Sequence, residues 1–227
     1  MIRNVKTACL LLTKENMSLH KHASKRSFTL KKIAHMYRTF WLPKNPKPPY
    51  DHICQIGDPV LRNKAELVKP DDIKSEKIQL VIKKLRKALK GYDAAGVAAP
   101  QIGVPLRIFA VEFPEFKKKE INKETYELWE MSTFPFKVFI NPEIKVVDYK
   151  KIVFPESCES VKGLNENGEK VEWSCRGWAA RICQHEMDHL DGKIYVDSMV
   201  KGTLEFPLWQ KINYHSGRLY LLYSPHK

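Results

Sequence analysis

Apolar and polar positions alternate in a helical rhythm over 71–89, where Ile78, Val81, Ile82, Leu85 and Leu89 recur every three to four residues and lysines fill the opposite face. Asp71 and Asp72 suit the positive end of that helix, Lys87 and Lys90 the negative end, and Gly91 stands where it stops. The lysine face reads as solvated. Positions 94–103 are too small and too broken by glycine for a stable helix or a filled strand, although small residues permit close approach by a ligand or another strand. Segments 106–113 and 136–147 are rich in Val, Ile and Phe and predict strands. Between them, 114–130 is charged and predicts an exposed excursion. A short strand is expected over 152–154 and a hairpin turn over 165–168. The second helix spans 177–190, with Trp178, Ile182 and Leu190 on its core face and Gly192 at its end. From Thr203 the tail carries Phe206, Trp209, Ile212, Tyr214 and the run 219–223, enough apolar surface to pack, in a pattern that does not say where.

Composition adds an asymmetry. The 227 residues carry a formal charge of +13, but the cations are concentrated early. Up to Phe40 they are Arg3, Lys6, Lys14, Lys21, Lys25, Arg26, Lys31, Lys32 and Arg38, against Glu15 alone. With serines interleaved, this stretch reads as a mitochondrial transit peptide; a basic tail touching RNA is the alternative. A proline-rich linker over 43–52 follows. No apolar run approaches a membrane span. Cys9, Cys54, Cys158, Cys175 and Cys183 are odd in number and lack CxxC spacing, which argues against a disulfide framework. Cys54, Cys175 and Cys183 are read as small buried apolar residues.

The chemistry concentrates in His185-Glu186-Met187-Asp188-His189. On a helix, His185 and His189 share a face and can bind one metal ion, while Glu186 can reach a water bound to it. Zinc peptidases that continue this pattern carry a third histidine where Tyr195 stands, so the third ligand must come from elsewhere, and the thiolate of Cys158 fits. Gln101, ending the small-residue loop, offers an amide. The ligand set alone suggests zinc.

Three ordered motifs then carry a resemblance. Ala94-Ala95-Gly96-Val97-Ala98-Ala99-Pro100-Gln101, Glu156-Ser157-Cys158-Glu159-Ser160 and Gln184 to His189 resemble the motifs of peptide deformylases, and more closely those of the mitochondrial branch. The resemblance runs from about Ile53 to Val200. It implies an α+β fold with antiparallel strands packed around a central metal-binding helix. The implied domain covers 53–200, preceded by a leader over 1–42 and followed by an extension over 201–227. The implied activity is removal of the formyl group from the initiator methionine of new mitochondrial polypeptides, in the mitochondrial matrix. Cys158, His185 and His189 would bind the metal, with Fe2+ preferred and Zn2+ or Co2+ able to substitute. Glu186 would act as general base and acid, Gln101 and the backbone N–H of Glu159 as oxyanion donors, and Gly96 and Ser157 as holders of the peptide backbone. An apolar pocket near Ile182 would take the methionine. The implied partners are N-formylmethionyl peptides and the mitochondrial ribosome exit region, with no stable nucleic-acid partner and no membrane.

The chain departs from the family pattern at Ala94 and Ser157, where glycines are usual, and at Glu159, where bacterial members carry leucine. Cys158 and His185 stand only 27 positions apart (185 − 158), which suggests a missing segment. An inactive metal-binding isoform and a basic ribosome-associated factor are therefore the alternative readings.

Overall fold

The computed structural model describes residues 46–146 and 159–218. The chain divides into Met1–Pro46 and Lys47–Lys227, and the second unit is the one described below. The expected leader, the expected strand over 152–154, Cys9, Ser157, Cys158 and the run 219–223 lie outside the described residues.

The described strands form one antiparallel sheet in sequence order: β1 (Gly96–Ala98), β2 (Ile108–Phe113), β3 (Phe134–Val146), β4 (Glu159–Leu164) and β5 (Lys170–Cys175). Alternation along the strands sorts their side chains to two faces. Ile108, Ala110, Val138 and Ile140 join Val81, Ile82, Leu85 and Leu89 of helix α1 (Glu76–Gly91) in one core. Phe109, Val111, Phe113 and Phe139 join Ala179, Ala180, Ile182 and Cys183 of the metal-motif helix in the other. The fold is thus α+β, with the sheet lying between the two long helices.

Helix α1 begins at Glu76, later than its periodicity predicts. Pro70 opens a separate 3-10 turn through Asp72, and the Ser75 hydroxyl then accepts from the Ile78 N–H at 3.4 Å, capping the helix proper. Its lysine face is not merely solvated. Lys84 and Lys87 both reach Asp51, at 2.7 and 2.8 Å, and these bonds hold the Asp51 carboxyl down at about 2.

Two expectations are corrected. The stretch 94–103 contains strand β1 and a 3-10 turn over Ala99–Ile102. Val97, Ala98, Ala99 and Ile102 are fully buried, because residues from both long helices pack around them. The charged excursion 114–130 contains two short helices, α2 (Glu115–Lys118) and α3 (Lys123–Leu128). Ile121, Tyr126 and Trp129 pack against the second core, so it is only partly exposed.

The connection before the metal-motif helix holds a whole hairpin. Strands β4 and β5 pair without a break from Glu159↔Cys175 to Leu164↔Lys170, and the Asn165 side chain accepts from the N–H groups of Asn167 and Glu169 in the turn. Alternate β5 residues Lys170, Glu172 and Ser174 are exposed, a polar pattern that discourages pairing at this end of the sheet. Cys54, Cys175 and Cys183 are buried and in no disulfide, as expected.

Asn141 locks β3 to the segment ahead of α1. At φ +52 it occupies a left-handed conformation that asparagine tolerates, and its amide bonds Val68 in both directions, accepting from N–H at 2.8 Å and donating to C=O at 2.7 Å. Asn141→Ala removes both bonds and strains the backbone. It should destabilise the fold by about 2–3 kcal/mol, read as a lower denaturant midpoint at unchanged slope.

Candidate active site

Helix α4 (Gly177–Leu190) is fixed at both ends. Gly177 sits at φ +57 against the Trp129 carbonyl, which a Cβ would approach to 2.9 Å, and the next residue, Trp178, donates its N–H to that carbonyl at 3.0 Å. Only glycine meets both demands. At the far end the Leu190 carbonyl accepts from Ala65, Asp191 pairs with Arg107 at 2.8 Å, and Gly192, at φ +75, lies against Arg62. Between these anchors Ala179, Ala180, Ile182, Cys183 and Leu190 face the core.

One face of α4 carries the reactive groups. The Nε2 atoms of His185 and His189 lie 3.1 Å apart, with the rings nearly perpendicular. Burial lowers the pKa of both imidazoles. For His189 burial and the neighbouring His185 together bring it to about 4, with Asp188 opposing. Both rings are therefore neutral at physiological pH, the form in which imidazole binds metal. Two nitrogens bound to one tetrahedral ion at 2.0–2.1 Å would stand roughly 3.3 Å apart, so the observed spacing fits a shared cation. The described residues hold no cluster of three candidate ligands, and Cys158 lies outside them.

Glu186 is 2% exposed, and burial alone pushes its carboxyl well above the usual range. Among the described residues its Oε2 has no hydrogen-bond partner, nor has the buried Nδ1 of His189. A buried carboxyl oxygen without a partner is costly, and sites that tolerate one are often functional. A cation held by the adjacent imidazoles would offset that cost. The residues present thus fit a metal.

Gly96 of β1 lies directly against this carboxylate: a Cβ there would overlap Glu186 Oε1 and come within 2.8 Å of Ile182 Cγ2. A cavity of about 310 Å³ opens here, lined by Ala95, Gly96, Arg181, Ile182, His185 and Glu186. Gln101, in the turn after β1, is held by its side-chain carbonyl, which accepts from Ala98 N–H at 2.7 Å; that turn packs against α4. With its carbonyl so engaged, the amide remains as a donor. The structure therefore brings Gly96, His185, Glu186 and His189 together and places Gln101 on an adjoining element. The backbone of Glu159 opens β4, opposite Val146 and Cys175. Asp188 is a surface acid, 3.5 Å from Lys193. Arg181 was not singled out in the sequence; its signal there is that it stands one turn before His185, on the same helix face.

A family model for polypeptide deformylase matches residues 50–204. A human protein named mitochondrial peptide deformylase is 39% identical over 183 residues, 74% of this chain and 75% of that one. An Arabidopsis thaliana protein, chloroplastic/mitochondrial peptide deformylase 1A, is also 39% identical, over 70% of this chain and 65% of its own length. Among solved structures, peptide deformylase from Ehrlichia chaffeensis superposes with a TM-score of 0.54 at 26% identity, covering 66% of this chain and 88% of that one.

Proposed function

Because the chain belongs to the polypeptide deformylase family, we propose that it removes the formyl group from the initiator methionine of newly made mitochondrial polypeptides, releasing formate and a free amine. Deformylation of nascent polypeptides by a metal-dependent amidohydrolase is the family's chemistry; the assignment of residues is our reading. The observation that carries it is the buried carboxyl of Glu186, whose Oε2 has no hydrogen-bond partner among the described residues, beside two neutral imidazoles at the edge of a cavity.

In this reading His185 and His189 hold the metal, with Cys158 as third ligand and Fe2+ as the resident ion. When bound, the ion supplies Lewis acidity that makes water a nucleophile at neutral pH. Glu186 takes the proton from the attacking water and delivers it to the departing amine, a double duty suited to a carboxyl whose pKa burial has raised. The side-chain amide of Gln101 and the N–H of Glu159 stabilise the negative charge that develops on the formyl oxygen. Gly96 and Ser157 hold the substrate backbone, and the methionine side chain lies against Ile182 in the 310 Å³ cavity. Actinonin and Met-Ala-Ser occupy solved bacterial deformylases, which supports a peptide-shaped ligand.

The acid-poor stretch up to Phe40 and the human relative's mitochondrial name support a mitochondrial location, and we assign the matrix, with 1–42 as the leader and the ribosome exit region as the place of action. The deciding measurement is formate release from formyl-Met peptides by the full chain, anaerobically, with iron(II) or cobalt(II). Turnover that disappears on chelation and returns with metal is expected. Metal binding without turnover would overturn the assignment.

A further inference from the structure

Beyond the catalytic face, the described part of the C-terminal extension is unusual physically. From Val200 to Arg218 every residue is exposed except Ile212, which is half-buried. Six large apolar side chains face solvent within fifteen positions: Val200, Leu204, Phe206, Leu208, Trp209 and Tyr214, the last 85% exposed. Single exposed apolar residues need no explanation, but six within fifteen positions of one another point to a contact surface. The same stretch carries Lys201, Lys211 and Arg218 against Glu205 alone, and the sequence continues with two tyrosines and Lys227 and no further acid. The surface is therefore aromatic and cationic together.

We infer that the extension over 200–218 attaches the protein to the surface of an anionic lipid bilayer. Tryptophan and tyrosine favour the headgroup boundary, where a ring can be half-buried and half-wet. Lysine and arginine are drawn to anionic headgroups, and the two contributions add for segments lying in the interface plane. Charge complementarity selects this occupant over the others. A second copy docking through the same patch would bring like cations together with a single glutamate to offset them. A nucleic acid would satisfy the cations and leave the aliphatic side chains in water. Among the described residues no helix is long and apolar enough to cross a membrane, and helix α5 (Trp209–Tyr214) has only six residues, so the attachment is to the surface. The sequence expectation of no membrane partner rested on the absence of a span, which does not bear on a peripheral contact.

The test is flotation of the full chain with phosphatidylcholine vesicles and with vesicles that also contain phosphatidylglycerol. Because the basic stretch up to Phe40 can itself attract anionic lipid, the comparison is between variants of the same chain. Binding to the anionic vesicles is expected to weaken about fivefold for each of Lys201→Gln, Lys211→Gln and Arg218→Gln, and about a hundredfold for the three together. Quenching of tryptophan emission by brominated lipid chains is expected to fall in Trp209→Phe. Unchanged flotation of the triple variant overturns the inference. So does association into dimers that Phe206→Ala and Trp209→Ala abolish without any vesicle binding, and so does RNA binding by this stretch in place of vesicle binding.

Discussion

Glu186→Gln is expected to lower kcat by about a hundred- to ten-thousand-fold, the range lost when a positioned general acid–base is removed. Glutamine keeps the shape of the side chain and takes away its proton exchange. Among the described residues the carboxyl has no hydrogen-bond partner on Oε2, so the substitution breaks no bond at that oxygen. Burial is what raises its pKa, which means the ionised form is disfavoured where it sits. Replacing it with a neutral amide therefore leaves the metal-free fold as stable as before, or more so. The loss of turnover and the retained or higher melting temperature should appear in the same variant. Formate release by Glu186→Gln at near-parental kcat would sink the assignment. A large fall in melting temperature would instead make Glu186 a structural residue.

The parts of this fold that sequence reveals are those whose own side chains carry the pattern. Helix α1 was legible because Ile78, Val81, Ile82, Leu85 and Leu89 repeat with helical spacing, and all five are buried. Only its start escaped, since Pro70 and Ser75 impose a separate turn and a cap that periodicity does not encode. The imidazole pair was legible for the same reason: two histidines four apart on a helix must share a face, and their Nε2 atoms do meet. Strand β1 was not legible, because three residues are too few to show a period, Gly96 and Ala98 present almost no side chain, and the burial is created by neighbours distant in sequence. Helices α2 and α3 were hidden by short length and charge; Ile121, Tyr126 and Trp129 reach the core without a repeating spacing. The contact of Gly96 with Glu186 spans 90 positions (186 − 96) and follows from the packing of β1 against α4. Arg181 entered the cavity lining through the helix turn it shares with His185, a placement that needed the cavity to be seen. The C-terminal extension showed its aromatic and basic composition in advance, but exposure is a property of the folded chain alone.

Gly96→Ala is expected to reduce kcat by about a hundredfold, because displacement of a reacting group by roughly 1 Å costs that much. The new Cβ would overlap Oε1 of Glu186 and stand 2.8 Å from both its Cδ and Ile182 Cγ2. Gly96 is not among the residues with positive φ, so alanine fits the backbone and the conflict is with side chains alone. The carboxylate, at the end of a flexible side chain, moves more readily than Ile182, which is wedged in the core. Overpacking against Ile182 should cost about 1–3 kcal/mol of stability, which leaves a folded protein to assay. The cause can be isolated by a double-mutant cycle. If Gly96→Ala acts by pushing the carboxylate aside, it has little left to remove once Glu186 is glutamine, and Gly96→Ala/Glu186→Gln should turn over no more than about threefold slower than Glu186→Gln alone. Gly96→Ala keeps the backbone groups that hold the peptide, so strictly multiplicative losses would show that the added methyl obstructs the substrate itself and does not act by displacing the carboxylate.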